Sequence, residues 1–168
     1  MRSLLIVICS LSLLLISPSF ASDLPSYEGL CKKLVDLPGW KGEKCDGIRA
    51  STPAGDLVSA HRRYTKDGRR LEVSVIVGSQ AIALWAPFTQ RIVVETGEQL
   101  LKTFRAEGFP AGVSYSKKEK SGTISICLKE KGGQGYALLA VTFEGMDWQE
   151  ALKWAKKFDW KGMAKLIK

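Results

Sequence analysis

Apolar and polar residues alternate along two neighbouring stretches of the chain, which is the pattern of half-buried β-strands. The stretches are residues 57–65 and 70–77, and they flank Asp67-Gly68, a dipeptide typical of a two-residue hairpin turn. The sequence therefore predicts a β-hairpin centred on this turn. Its register pairs Val58 with Val77, Ala60 with Val75, Arg62 with Val73 and Tyr64 with Leu71 on a core face, and Arg63 with Glu72 and His61 with Ser74 on a solvated face.

Four further stretches have the composition of strands. Residues 91–95 and 112–117 are short, and residues 123–130 alternate between apolar and polar side chains. Residues 136–144 are apolar on both faces, which predicts a central strand. Residues 98–108 fit the helical and the strand period equally, and we predict a helix there.

Two short helices are predicted, one before these strands and one among them. Ser26 is expected to cap the first, which Leu37 and the following Pro-Gly end. Ser79 is expected to cap the second, over residues 80–90, which would cross one face of the sheet. The side chains expected on that sheet face are Ala81, Leu84, Trp85 and Phe88.

The last part of the chain, DWQEALKWAKKFDWKGMAKLIK, combines tryptophans and lysines at helical spacing. It could be one amphipathic helix lying in a membrane surface, or it could pack on the core of the domain. On a helical projection, the apolar residues before and after Phe158 form two stripes offset by roughly 130°. Because a membrane helix needs one continuous apolar face, packing is favoured. We predict two short helices, capped by Asp147 and Asp159, with Trp154 and Phe158 in the core.

These elements predict an α+β domain, with an antiparallel sheet, helices packed on one face and two short C-terminal helices. The domain is assigned to residues 22–168. Residues 1–21 have the layout of a secretory signal peptide: Arg2, the uncharged run Leu4–Ile16, then Ser19-Phe20-Ala21 before the cleavage point. A retained anchor is the alternative. We therefore predict a bacterial periplasmic or secreted protein, with no transmembrane segment after signal removal.

Cysteine usage agrees with export. Cys9 lies within the predicted leader, and Cys31, Cys45 and Cys127 remain. In an oxidising compartment a disulfide is expected, and we predict that Cys31 pairs with Cys45 while Cys127 stays reduced. The cysteines and the single histidine are too scattered for a structural zinc site. No metal and no other cofactor is predicted.

Three residues are candidates for a binding site. Arg62 faces the core side of the hairpin, where it either pairs with a carboxylate or binds a ligand. His61, on the solvated face, is either an ordinary surface histidine or a site residue. Trp85, on the apolar helix over the sheet, is the third candidate. No catalytic residue is predicted, because the chain lacks the motifs Gly-x-Ser-x-Gly and His-Glu-x-x-His.

Several residue patterns resemble a loose group of small exported bacterial proteins with no established activity. These patterns are Trp40 after a Pro-Gly turn, a hairpin that ends in Tyr64 and returns through Val73 and Val75, and the closing Phe158-Asp159-Trp160 with Leu166. The resemblance covers residues 40–168. It implies a sheet-and-helix fold similar to that of the PsbP and Mog1 proteins, and it implies no catalytic residues.

Three classes of function follow. The first, which we favour, is a non-catalytic envelope protein that binds or scaffolds an unidentified partner. The second is a basic protein on an anionic membrane surface or other polyanion, since the formal net charge is +8; solubility alone would also explain that charge, and no nucleic acid is expected. The third is a hydrolase-type enzyme without a recognisable motif. The ligand, the partner and the oligomeric state are not given by the sequence.

Overall fold

A single antiparallel sheet organises the chain, and the computed structural model describes residues 24–53, 55–132 and 134–167. In these residues nine strands join one sheet. The strands are β1 (Lys41–Gly42), β2 (Asp46–Thr52), β3 (Gly55–Lys66), β4 (Arg69–Gly78), β5 (Val93–Glu95), β6 (Gln99–Ala106), β7 (Phe109–Ser116), β8 (Ser121–Lys131) and β9 (Gln134–Glu144). The helices are α1 (Tyr27–Cys31), α2 (Ser79–Trp85), α3 (Trp148–Ala155) and α4 (Trp160–Leu166), and a 3₁₀ turn, Ala86–Phe88, follows α2.

The strand order is β1-β3-β4-β9-β8-β7-β6-β5, with β2 beside another part of β3. All of these pairs are antiparallel, and β9 lies between β4 and β8. The predicted α+β class and the central position of residues 136–144 are therefore confirmed. The two short C-terminal helices are present as well.

The hairpin of β3 and β4 has the predicted register. Tyr64 is the partner of Leu71, and Arg63 is the partner of Glu72. Asp67 and Gly68 have φ values of 48° and 75°, the left-handed conformation that a tight hairpin turn requires at both central residues. Because the turn fixes the register, every side chain of the hairpin lies on its expected face.

The two faces of the sheet are covered to different extents. Helices α1, α3 and α4 pack on one face, which we call the helix face, and they enclose the main core. Helix α2 and the 3₁₀ turn pack on the other face over a small apolar cluster. The largest fully buried side chains of the main core include Tyr64, Phe143, Leu30, Leu34, Leu71, Ile124, Ile126, Leu139 and Met163.

The C-terminal segment packs as two helices, as predicted. The Asp159 carboxylate accepts a hydrogen bond from the backbone N–H of Gly162 at 2.8 Å and so caps α4. Asp147 occupies the N-cap position of α3 but makes no side-chain cap. Phe158 is 4% exposed, whereas Trp154 is only half-buried. The expectation that Trp154 is a core residue is therefore met in part.

Three local predictions are wrong. Residues 99–106 form strand β6, because the two-residue turn Glu107-Gly108 pairs them with β7. Gly78 occupies the N-cap of α2, with a φ of 101° that favours glycine, and Ser79 is the first residue of the helix. Helix α1 is capped by Ser26 as expected, but it ends at Cys31 rather than near Leu37.

The disulfide between Cys31 and Cys45 is present, and Cys127 is a buried free cysteine. The bridge joins the end of α1 to the residue before β2. No helix in the described part of the chain has the length and apolarity needed to cross a bilayer. The predicted leader, residues 1–21, lies outside the described residues.

Candidate functional site

Half of the face opposite the helix face is left uncovered by α2, and we call this uncovered part the open face. Directly paired residues of neighbouring strands project to the same side of a sheet, so the register identifies its side chains. Two rows of paired residues cross it. The rows are Arg63, Glu72, Thr142, Thr123, Ser114, Leu101 and Val94, and Thr65, Arg70, Glu144, Ser121, Ser116 and Gln99.

The end of the open face on β3, β4 and β9 is charged and holds a depression of about 410 Å³. Arg63 Nε donates to Glu72 Oε2 at 2.9 Å, and an Arg70 guanidinium nitrogen lies 3.3 Å from Glu144 Oε2. Glu43 completes the charged wall. Both ion pairs lie largely in solvent, where such pairs are weak and exchangeable. These charges are therefore available to a ligand that carries charges of both signs.

The end of the open face on β5, β6, β7 and β8 is lined by hydroxyl and small apolar groups. A second depression of about 380 Å³ lies there, and its lining includes Val94, Leu101, Ser114, Ser116 and Ser121. A serine hydroxyl can both donate and accept a hydrogen bond. This end can therefore bind uncharged polar groups next to small apolar ones.

The two depressions meet within the same rows. Ser121 of the second is the direct partner of Glu144 of the first, and a hydrogen bond of 3.1 Å joins the hydroxyls of Thr123 and Thr142. We call the combined feature the trough. From β3 to β6 it crosses five strand spacings, or about 24 Å at ~4.8 Å each. Its length and its lining suit an extended polar ligand or a segment of a partner protein.

His61 lies at the border of the trough, in a row that strand β2 completes. Its direct partners are Asp46 on β2 and Ser74 on β4, so a carboxylate, an imidazole and a hydroxyl stand in neighbouring positions. Among the described residues, His61 forms no side-chain hydrogen bond or ion pair. The row therefore has the residue types of a catalytic triad but not the hydrogen bonds that activate a nucleophile.

Arg62 points to the helix face and joins the loop of residues 34–43 to β3. Its guanidinium donates to the carbonyls of Leu34 and Glu43 at 2.7 Å each and pairs with the Asp36 carboxylate. It also stacks 5.2 Å from the centroid of the Tyr64 ring. The structure thus shows the carboxylate pairing considered for this residue, and these contacts explain its inward direction.

Trp85 is buried, with 3% of its surface exposed, and it closes the small cluster beneath α2. Its ring packs so closely on Gly135 that a Cβ there would lie 2.4 Å from Cγ of the indole. Cys127 lies in the same cluster, and burial raises the pKa of its thiol to about 11. Neither Gly135 nor Cys127 lines the trough, so these contacts do not connect Trp85 with it.

The structure does not bring the three candidates together: Arg62 faces the helices, Trp85 at the end of α2 is buried against the sheet, and only His61 borders the trough. The sequence patterns point to no role for the trough residues Arg70, Glu144, Ser114 and Ser121. The sequence signal that could have identified them is the set of polar positions in each alternating strand, which face solvent. In the described residues, no group of three or more His, Cys, Asp or Glu side chains could hold a metal ion.

Comparisons with known proteins give no relative for this chain. No protein-family model matches it, and neither the curated proteins nor the solved structures contain a match. The trough is therefore interpreted from its own geometry.

Proposed function

We propose that this chain is an exported, non-catalytic protein that binds a partner of the bacterial cell envelope through the trough. The observation that carries the proposal is the continuity of the two depressions across one polar face. Helices bury the opposite face of the sheet, yet nothing among the described residues covers these two rows. The leader pattern and the disulfide support an oxidising compartment.

The chemistry of the trough favours binding over catalysis. Its charged end presents balanced ion pairs, and its other end presents hydroxyls and two apolar side chains. Such a lining supplies many exchangeable hydrogen bonds but no activated nucleophile. The hydrolase alternative would rest on His61 with Ser74, and it lacks the hydrogen bond between base and nucleophile that such chemistry requires.

Site-specific photo-cross-linking in the producing cell tests this proposal. A benzoylphenylalanine residue is placed at Ser114 or Thr142, which are exposed in the trough, and as a control at Gln149, which is exposed on α3 in the opposite layer. We expect one discrete cross-linked product from both trough positions and none from Gln149. A charge reversal at the trough, Arg70→Glu, should reduce the yield from Thr142.

Two results would contradict the proposal. The first is an equal cross-linking yield from Gln149 and from the trough. The second is the absence of any product from Ser114 and Thr142 in cells that contain the folded, exported protein. Measurable hydrolysis of ester substrates that is lost in His61→Ala, together with loss of the cross-linked product in the same variant, would favour the enzyme instead.

A further inference from the structure

A second surface, on the helix layer and distinct from the trough, combines a tryptophan with unpaired lysines. Trp154 of α3 contacts Trp40 edge to face, with ring centroids 5.4 Å apart and an interplanar angle of 77°. One side of the Trp154 indole is thereby fixed, and the residue remains half-buried. A depression of about 380 Å³ lies beside it, lined by Glu150, Lys153, Trp154 and Lys157.

Cations surround this indole. The Nζ atom of Lys66, at the turn between β3 and β4, lies 5.8 Å from the centroid of the Trp154 ring. Lys153 and Lys157 flank the ring on α3 and just beyond it, and both are exposed. None of these three lysines forms an ion pair with a described residue.

Two acidic groups in this region, Glu150 and Asp67, pair with Arg69, and a guanidinium nitrogen of Arg69 lies 3.6 Å from Asp67 Oδ2. Glu150 accepts a hydrogen bond from Arg69 at 2.7 Å, and the Arg69 guanidinium lies 5.8 Å from the centroid of the Trp40 ring. Lys66, Lys153 and Lys157 are therefore left without a direct ion pair to either of these carboxylates. We call Trp154 with these three lysines the basic patch.

We propose that the basic patch docks the protein on an anionic lipid surface. Tryptophan side chains favour the interface between water and lipid because they are apolar with one polar N–H. Lysines contribute attraction to anionic headgroups, and their long apolar stems can lie along the surface. This arrangement needs no amphipathic helix to leave the fold, since the tail stays packed on the sheet. The inference does not depend on the role proposed for the trough.

The geometry gives this docking an orientation. Helix α3 packs against β8 and β9 on the helix face, whereas the trough lies on the opposite face of the same strands. A protein held by the basic patch would turn the trough away from the lipid. A partner could then reach the trough while the protein is on the membrane.

Vesicle sedimentation tests the proposal with the protein purified after export. The vesicles contain phosphatidylglycerol and phosphatidylcholine at about 30:70, or phosphatidylcholine alone, at low salt. The variant K153E/K157E replaces two positive charges of the basic patch with two negative ones. The control R91E/K131E makes the same change of net charge at exposed positions outside the basic patch, one before β5 and one at the end of β8.

We expect the wild type to bind the anionic vesicles only. Each lysine near such a surface strengthens binding roughly fivefold, so K153E/K157E should weaken it by about tenfold or more. The control should change it by less than about twofold. Quenching of tryptophan fluorescence by brominated lipid should fall in Trp154→Phe, a variant that keeps an aromatic ring against Trp40.

Three outcomes would overturn the proposal. Equal losses in the two charge-reversal variants would show that only net charge matters. Binding to neutral vesicles, or to neither kind, would exclude an electrostatic lipid site. Displacement of the protein from vesicles by millimolar inorganic phosphate, at constant ionic strength, would show that the patch takes a small soluble anion.

Discussion

The phenol of Tyr115 donates a hydrogen bond of 2.7 Å to the carboxylate of Asp147. Tyr115 belongs to β7, and Asp147 stands at the N-cap position of α3. The carboxylate that the sequence predicted as a helix cap is thus used to bind the sheet. This contact fixes where α3 begins on the helix face, and so it also fixes the position of Trp154.

Replacing Tyr115 with phenylalanine should lower the free energy of unfolding by about 1 kcal/mol, the usual net contribution of one hydrogen bond. The reason is that the ring still fills its buried site while the bond to Asp147 is lost. Urea denaturation measures the change. Asp147→Asn retains an acceptor oxygen and should cost less. Equal stability of Tyr115→Phe and the wild type would show that the bond contributes nothing.

Stability should fall steeply at alkaline pH. Burial raises the pKa of both Tyr64 and Tyr115 to about 12, above the ordinary value of about 10. Between these values the unfolded chain has released phenolic protons that the folded protein still binds. The stabilisation is therefore complete below pH 10 and is lost as the pH rises through about 12.

This pH dependence can be measured by urea denaturation between pH 8 and 12, with the absorbance of phenolate recorded in parallel. We expect two tyrosines of the folded protein to ionise late. The doubly substituted variant, with Tyr64→Phe and Tyr115→Phe, should show a weaker pH dependence. A folded protein whose tyrosines all ionise near pH 10 would contradict the prediction.

Replacing each C-terminal aromatic residue with alanine should destabilise the protein more at the buried Phe158 than at the half-buried Trp154. Phe158→Ala should destabilise by about 3–5 kcal/mol, because Phe158 is 4% exposed and packs 6.0 Å from the Tyr64 ring. Trp154→Ala should cost less, since that side chain is half-buried. Thermal unfolding measures both. Lys157→Glu is the control and should leave the melting temperature nearly unchanged, whereas Lys156 pairs with Glu107 at 3.0 Å and is unsuitable.

The disulfide should stabilise the fold without involving Cys127. A bridge that spans 14 positions, as this one does, closes a loop that is worth about 3 kcal/mol in the chain-entropy model. Cys45→Ser should lose about that amount. Cys127 should resist alkylation at pH 8 until urea unfolds the protein, since burial raises its pKa. A disulfide-linked peptide containing Cys127 would contradict this assignment.

The leader should be removed after Ala21. The motivation is the sequence of Arg2, the apolar run Leu4–Ile16 and the small residues before Ser22. Mass spectrometry of protein from the native host measures the N-terminus directly. The expected first residue is Ser22, and an intact Met1 in the membrane fraction would show that the segment is a retained anchor.

Local signals predicted the hairpin of β3 and β4, because its turn fixes the register of both strands. The same kind of signal was present for β6 and β7. Glu107 and Gly108 have φ values of 50° and 87°, close to those of the turn at Asp67. The sequence does not single out this turn, because residues 98–108 fit both periods and because Lys102 interrupts the apolar positions of an outer strand.

The trough could not be predicted from local patterns. Its rows join residues as distant in sequence as Arg63 and Leu101, and only the order of six strands brings these two together. His61 gives the same lesson on a smaller scale. Its carboxylate neighbour Asp46 lies on β2, a strand whose short polar sequence has no periodicity. Strand order depends on long-range packing, which one sequence does not specify.

The central position of β9 imposes an order of assembly on the molecule. Strand β4 and strand β8 belong to separate local units, and each obtains its second neighbour only from residues 134–144. A chain that emerges from its N-terminus must therefore hold two incomplete sheets with exposed edges until these late residues arrive. Such edges are open to pairing with other chains, and non-local closure is slow. The edges of β4 and β8 would consequently stay open to other chains until residues 134–144 have emerged.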